Sequence, residues 1–172
     1  MEAVPAMLTF GVLHHGLTVS DLDRSIRWYC EVFDLVEVHR QTGDNEYTRT
    51  LVGVPGAAIK VAQLALTGQH ELWPSSHFIE LIEYVCAGGD ALRAVPNQPG
   101  SSHLAFVVSD IETVCARVIA RGGVLRNDPV TVTAGINKGS RACYLHDPDG
   151  HILELMQYGR EREAQLRGLM TG

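Results

Sequence analysis

The stretch His14-His15-Gly16-Leu17-Thr18-Val19-Ser20-Asp21 has a counterpart in the same chain, His103-Leu104-Ala105-Phe106-Val107-Val108-Ser109-Asp110. His14 and His103, Val19 and Val108, Ser20 and Ser109, and Asp21 and Asp110 are each 89 positions apart. Self-similarity at a fixed offset is the mark of one supersecondary unit built twice. Both copies run on into a helix-like segment, from Leu22 and from Ile111. Each half also closes on a similar phrase, Phe78-Ile79-Glu80-Leu81-Ile82-Glu83-Tyr84 and Ile152-Leu153-Glu154-Leu155-Met156-Gln157-Tyr158. A His opens each half and a Glu closes it. The chain must therefore fold as two similar modules, each carrying that pair.

In order, residues 1–9 read as a loose arm and 10–85 as the first module. Val12–Val19 has strand character, and Ser20 or Asp21 caps a helix over Leu22–Phe33 whose apolar face carries Leu22, Ile26, Tyr29 and Phe33. Strands are expected at Val36–Arg40, Tyr47–Val52, Ala58–Leu66 and Phe78–Val85, with a polar loop over Thr67–Ser76. The order reads as one strand, one helix and then a run of strands. Residues 86–101 contain Gly and Pro without apolar period and form the linker. The second module, 102–158, repeats the order. It has strand His103–Val108, helix Ile111–Arg121 with a Gly122-Gly123 stop, then Val124–Arg126, Val130–Thr133, Arg141–Leu145 and Ile152–Tyr158. Loop Ala134–Ser140 and the turn Asp147-Pro148-Asp149-Gly150 lie between strands. Residues 159–172 are a charged, helix-compatible tail expected to fray, although Leu166, Leu169 and Met170 could touch a partner subunit.

Composition narrows the function. A net charge of −6 leaves no basic footprint for nucleic acid. No apolar run approaches the roughly 20 residues needed to cross a bilayer. The first residues lack the basic start of a secretory signal. Cys30, Cys86, Cys115 and Cys143 form no CxxC pair, which fits reduced thiols and a cytoplasmic location.

Strand parity then separates the candidate chemistry from the core. His103 shares a face with Ala105 and Val107, while the bulkier Leu104, Phe106 and Val108 share the other. The bulkier set packs on the helices, so His103, and by the repeat His14, faces away from them. His15 points to the helix side. Glu80 shares a face with Phe78 and Ile82, and Glu154 with Ile152 and Met156, where a carboxylate needs a cation or a donor beside it. Two imidazoles and two carboxylates make an N2O2 set suited to a divalent transition metal. Glu83 reads as solvated. His39, His70, His77, His146 and His151 lack repeat support and read as surface residues, with His146 and His151 flanking the turn before Glu154 and open to a secondary role at the site mouth.

The chain resembles the vicinal oxygen chelate superfamily, the glyoxalase, bleomycin-resistance and extradiol dioxygenase group. The residues carrying the resemblance are His14, Thr18-Val19-Ser20-Asp21-Leu22-Asp23-Arg24-Ser25, Trp28-Tyr29, Phe78-Ile79-Glu80-Leu81, His103 with Val108-Ser109-Asp110, and Asp147 through Leu155. The resemblance implies an α+β fold of paired βαβββ modules whose curled sheets form a metal-binding cup. It implies one divalent ion per site (Ni, Co, Zn, Mn or Fe) on His14, Glu80, His103 and Glu154. A small-molecule substrate chelated through adjacent oxygens, and a homodimer without nucleic-acid or membrane partners, are expected with it. A carboxylate at Glu80 resembles the four-ligand lyases and isomerases, where Glu80 or Glu154 would be the catalytic base. Thr18 and Tyr84 stand where glyoxalase I has the Arg and Asn that hold glutathione, so glutathione specificity is not implied. The other expectations to test are an Fe(II) dioxygenase using His14, His103 and Glu154, and a non-catalytic binding protein.

Overall fold

The computed structural model describes residues 11–67, 78–85 and 95–170. The expected arm 1–9, nearly all of the Thr67–Ser76 loop, His70, His77, Cys86 and much of the 86–101 linker lie outside the described residues. The chain divides into two compact units, Met1–Cys30 with Asp34–Gly88, and Glu31–Phe33 with Gly89–Gly172.

The first unit runs β1 (His15–Thr18), α1 (Leu22–Phe33), β2 (Leu35–Gly43), α2 (Glu46–Val52), β3 (Ile59–Leu66) and β4 (Ile79–Tyr84). Its sheet has the order β1-β4-β3-β2, with β1 parallel to β4. The second unit runs β5 (Leu104–Val107), α3 (Ile111–Ala120), β6 (Val124–Leu125), β7 (Val130–Thr131), β8 (Arg141–His146), β9 (Ile152–Gln157) and α4 (Arg160–Met170). Its sheet order is β5-β9-β8-β6, with β7 on β8 and β5 parallel to β9. In both units the first strand therefore lies beside the last. That pairing brings the opening His and the closing Glu onto neighbouring strands.

The helices form where their caps and apolar faces dictate. Asp21 accepts from the Arg24 N–H at 2.9 Å, and Asp110 from the N–H groups of Glu112 and Thr113. Leu22, Ile26, Tyr29 and Phe33 are buried as their spacing predicts, and Ser25, Trp28 and Val32 widen the buried face. The tail forms α4, with an Arg167–Glu163 pair one turn apart. No helix among the described residues is long and apolar enough to cross a membrane. In the second unit the Cys115 and Cys143 sulfurs lie 3.6 Å apart in the core, and burial pushes the Cys143 thiol up to about 12.

The expected strand at Tyr47–Val52 is instead helix α2. Its β-branched Thr48, Thr50 and Val52 alternate in a strand-like way, but the ends decide otherwise. Asn45 accepts from the Thr48 N–H at 2.9 Å, and Gly53, at φ 68°, returns its N–H to the Arg49 carbonyl.

Glu83 is also not a solvated bystander. Its carboxylate accepts from the Leu22 N–H at 2.8 Å and from Lys60 at 2.7 Å, anchoring the start of α1 to β4. Gln157 does the same for α3, accepting from the Ile111 N–H at 3.0 Å. Lys60 and then the Leu22 N–H hold the Glu83 carboxyl below its ordinary value. A depressed folded-state pKa gives stability that is present above the ordinary carboxylate range and is lost as pH falls through the folded value. Glu83→Ala is expected to cost about 1 kcal/mol at neutral pH, as loss of a cap does. Glu83→Gln should keep the cap and remove the acid-sensitive part. Denaturant unfolding at several pH values checks both.

Candidate metal half-sites

In the first unit Gly16 pairs with Glu80 across the parallel strands β1 and β4. His14, two residues before Gly16, shares its face, and that face is opposite the buried Leu17 and Val19. The result is a His–Glu pair, with His14 Nε2 3.6 Å from Glu80 Oε1. The other Glu80 oxygen, Oε2, accepts from Gln63 Nε2 at 3.2 Å. His15 is opposite Ile79, which is fully buried, so it lies on the helix side as expected.

The second unit repeats this with Ala105 opposite Glu154 on β5 and β9. His103 precedes β5 on the face of Ala105 and the exposed Val107, away from buried Phe106. His103 Nε2 lies 3.1 Å from Glu154 Oε2. Tyr144 on β8 is the register partner of Glu154, and its hydroxyl stands 3.4 Å from His103 Nε2 with the two rings edge-on at 5.2 Å. Burial first, then the Glu154 charge and a hydrogen bond to it, hold the Tyr144 phenol above its ordinary value.

The donor spacing fits a metal in each pair. Two N/O ligands at about 2.0–2.2 Å from one ion, at square or tetrahedral angles, lie roughly 3–3.6 Å apart. The observed 3.1 Å falls inside that range and 3.6 Å at its edge. Each pair supplies two donors. Among the described residues no group of three or more His, Cys, Asp or Glu is placed to hold a metal ion. The structure thus brings together His14 with Glu80 and His103 with Glu154, as two half-sites.

The turn ahead of Glu154 is built by Asp147, which is buried and accepts from the N–H groups of Asp149 and His151 at 3.0 and 2.8 Å. His146 Nδ1 is 3.1 Å from the Gly150 carbonyl oxygen, closing the same turn. The two histidines on either side of this turn are therefore both bonded into it. Sequence reasoning does not single out Gln63 or Tyr144. Each is a polar residue in an apolar run, but only the strand register shows that it stands opposite a candidate ligand.

Residues 11–155 match the family model described as Glyoxalase/Bleomycin resistance protein/Dioxygenase superfamily. A probable lactoylglutathione lyase of Vibrio parahaemolyticus is 31% identical, over 91% of this chain and 96% of that protein. A 2-epi-5-epi-valiolone epimerase of an Actinomyces species is 32% identical, over 84% of this chain and 78% of its own. A glyoxalase family protein of Bacillus cereus shares the fold, with a TM-score of 0.73 at 21% identity over 91% of this chain and 99% of that one. A fosfomycin resistance protein of Listeria monocytogenes, crystallised with Mn(II), shares it at a TM-score of 0.54 and 19% identity over 91% and 99% of the two chains. Twin modules, first-with-last strand pairing and a family match spanning both units agree: this chain belongs to the glyoxalase, bleomycin resistance protein and dioxygenase superfamily.

Proposed function

We propose that this chain is a divalent-metal enzyme that binds a small substrate through two adjacent oxygens and moves a proton at a neighbouring carbon, a lyase or isomerase. The observation carrying the reading is the repeated His–Glu pair, with donors spaced as ligands of one ion. The proposed donor set is His14 and Glu80 of the first unit with His103 and Glu154 of the second. A divalent ion held there, of the Ni, Co, Zn, Mn or Fe class, would supply Lewis-acid stabilisation to the negative charge that develops when the carbon loses its proton.

The protein's own share is positioning and proton handling. His14 and His103 present Nε2 from the exposed face, so ligand binding does not disturb the helix-packed core. Glu80 and Glu154 are the two carboxylates of the proposed set, and one of them takes and returns the proton. A lyase and an epimerase among the relatives support this over oxygen chemistry, since neither reaction class consumes dioxygen. Thr18 and Tyr84 offer no cation for a glutathione carboxylate, so the reading does not extend to glutathione specificity.

The test is a screen of α-hydroxy-carbonyl, thioester and catechol compounds with the metal-loaded protein. Exchange of a carbon-bound proton for deuterium, without oxygen uptake, is the expected result. Metal-dependent oxygen consumption with a catechol would overturn the proposal in favour of ring-cleaving chemistry.

A further inference from the structure

Residues directly opposite in a pair of antiparallel strands share a face, with Cβ atoms about 4.5–5.5 Å apart. The residue across from a ligand carboxylate is therefore its nearest side-chain neighbour on that strand. Across from Glu80 stands Gln63, and across from Glu154 stands Tyr144. Both are hydrogen-bond donors, an amide N–H in one unit and a phenol O–H in the other.

The amide divides the two oxygens of Glu80. Oε2 accepts from Gln63 Nε2 at 3.2 Å, while Oε1 is the oxygen 3.6 Å from His14 Nε2. The phenol of Tyr144 stands across from Glu154 in the strand register and lies 3.4 Å from His103 Nε2. A free carboxylate rotates broadly about its last torsion, so a donor on one oxygen selects which oxygen is presented to a metal.

We propose that Gln63 and Tyr144 are the positioning residues of the two half-sites, each orienting the carboxylate it faces across the strands so that one oxygen is offered to the ion. The inference rests on the metal reading above. It also makes the two halves chemically unequal, since a neutral amide faces one carboxylate and a phenol hydroxyl faces the other. Neither side chain belongs to the helix-packed layer. On β3 that layer is Ala62 and Leu64, and on β8 it is Cys143 and Leu145, all buried to 1% exposure or less. Removing either donor should thus leave the core intact.

The experiment uses the full chain with Co(II), titrated against a competing chelator and followed by the visible spectrum of the bound ion. The variants are Gln63→Met, which keeps length and loses the donor, and Tyr144→Phe, which loses one oxygen. Outer partners of metal ligands typically alter affinity 10- to 100-fold. The Co(II) dissociation constant should rise about tenfold in each variant by that rule, with a shifted cobalt spectrum and an unchanged melting temperature of the metal-free protein. Should Gln63→Met fail to fold, Tyr144→Phe decides alone. Affinity within twofold of wild type and an identical spectrum would overturn the inference while leaving the metal reading standing. Weaker binding with an unchanged spectrum and a lowered metal-free melting temperature would also overturn it, by marking a structural role. A wild-type chain that binds no Co(II) would overturn the metal reading, and this inference with it.

Discussion

His103→Ala is expected to lose its metal and keep its fold. The His103 side chain is 44% exposed and lies before β5, off the face where Phe106 is buried. Its removal opens no cavity. What it removes is one of the four proposed donors. Structural zinc sites with four ligands are worth about 10–16 kcal/mol, so one donor is worth on the order of 3 kcal/mol, roughly a hundredfold in affinity. His14→Ala should behave alike, because the repeat places it equivalently beside Glu80. His15→Ala is the internal control, since His15 sits opposite Ile79 on the helix side. It should bind metal normally. Metal loss in His15→Ala with retention in His14→Ala would shift the ligand assignment by one residue.

The second large effect is on turnover. Glu80→Gln and Glu154→Gln each keep an oxygen that can approach a metal while removing nearly all basicity. Whichever carboxylate carries the proton should lose about 10²–10⁴-fold in kcat on substitution, the usual range for a general base. The other variant should lose metal affinity more than rate. Deuterium exchange into substrate, measured at saturating metal, separates the two. Full exchange activity in both variants would remove both carboxylates from the proton path.

Much of this architecture is legible in the chain itself, for a physical reason. Alternation at period two fixes which face a residue takes, so Leu17, Val19 and Phe106 fall inward and His14 and His103 outward on sequence pattern alone. The helix of the first unit is legible in Asp21 and the spacing of Leu22, Ile26, Tyr29 and Phe33. Alternation misleads at Tyr47–Val52, where β-branched residues imitate a strand and the Asn45 and Gly53 caps decide for helix. Glu83 resembles a solvated residue in sequence because its partners, Leu22 and Lys60, are 61 and 23 residues away and no local pattern joins them.

Strand register is the other property that local pattern does not carry. Gln63 precedes Glu80 by 17 positions, whereas Tyr144 precedes Glu154 by 10, because the connections before the last strands differ in length. The repeat that aligns the histidines therefore fails to align their neighbours. The four proposed ligands are legible as two pairs for the opposite reason. A strand that opens each module and a strand that closes it lie side by side in both sheets.

The central claim of the proposal is that the His–Glu pairs are metal ligands, and native mass spectrometry of the metal-loaded chain tests it most directly. One measurement reports assembly mass and ion count together. The account predicts a homodimer carrying one divalent ion per chain, and the loss of every ion in the His14→Ala, His103→Ala double variant at unchanged assembly mass. An ion count that survives the double variant would contradict it.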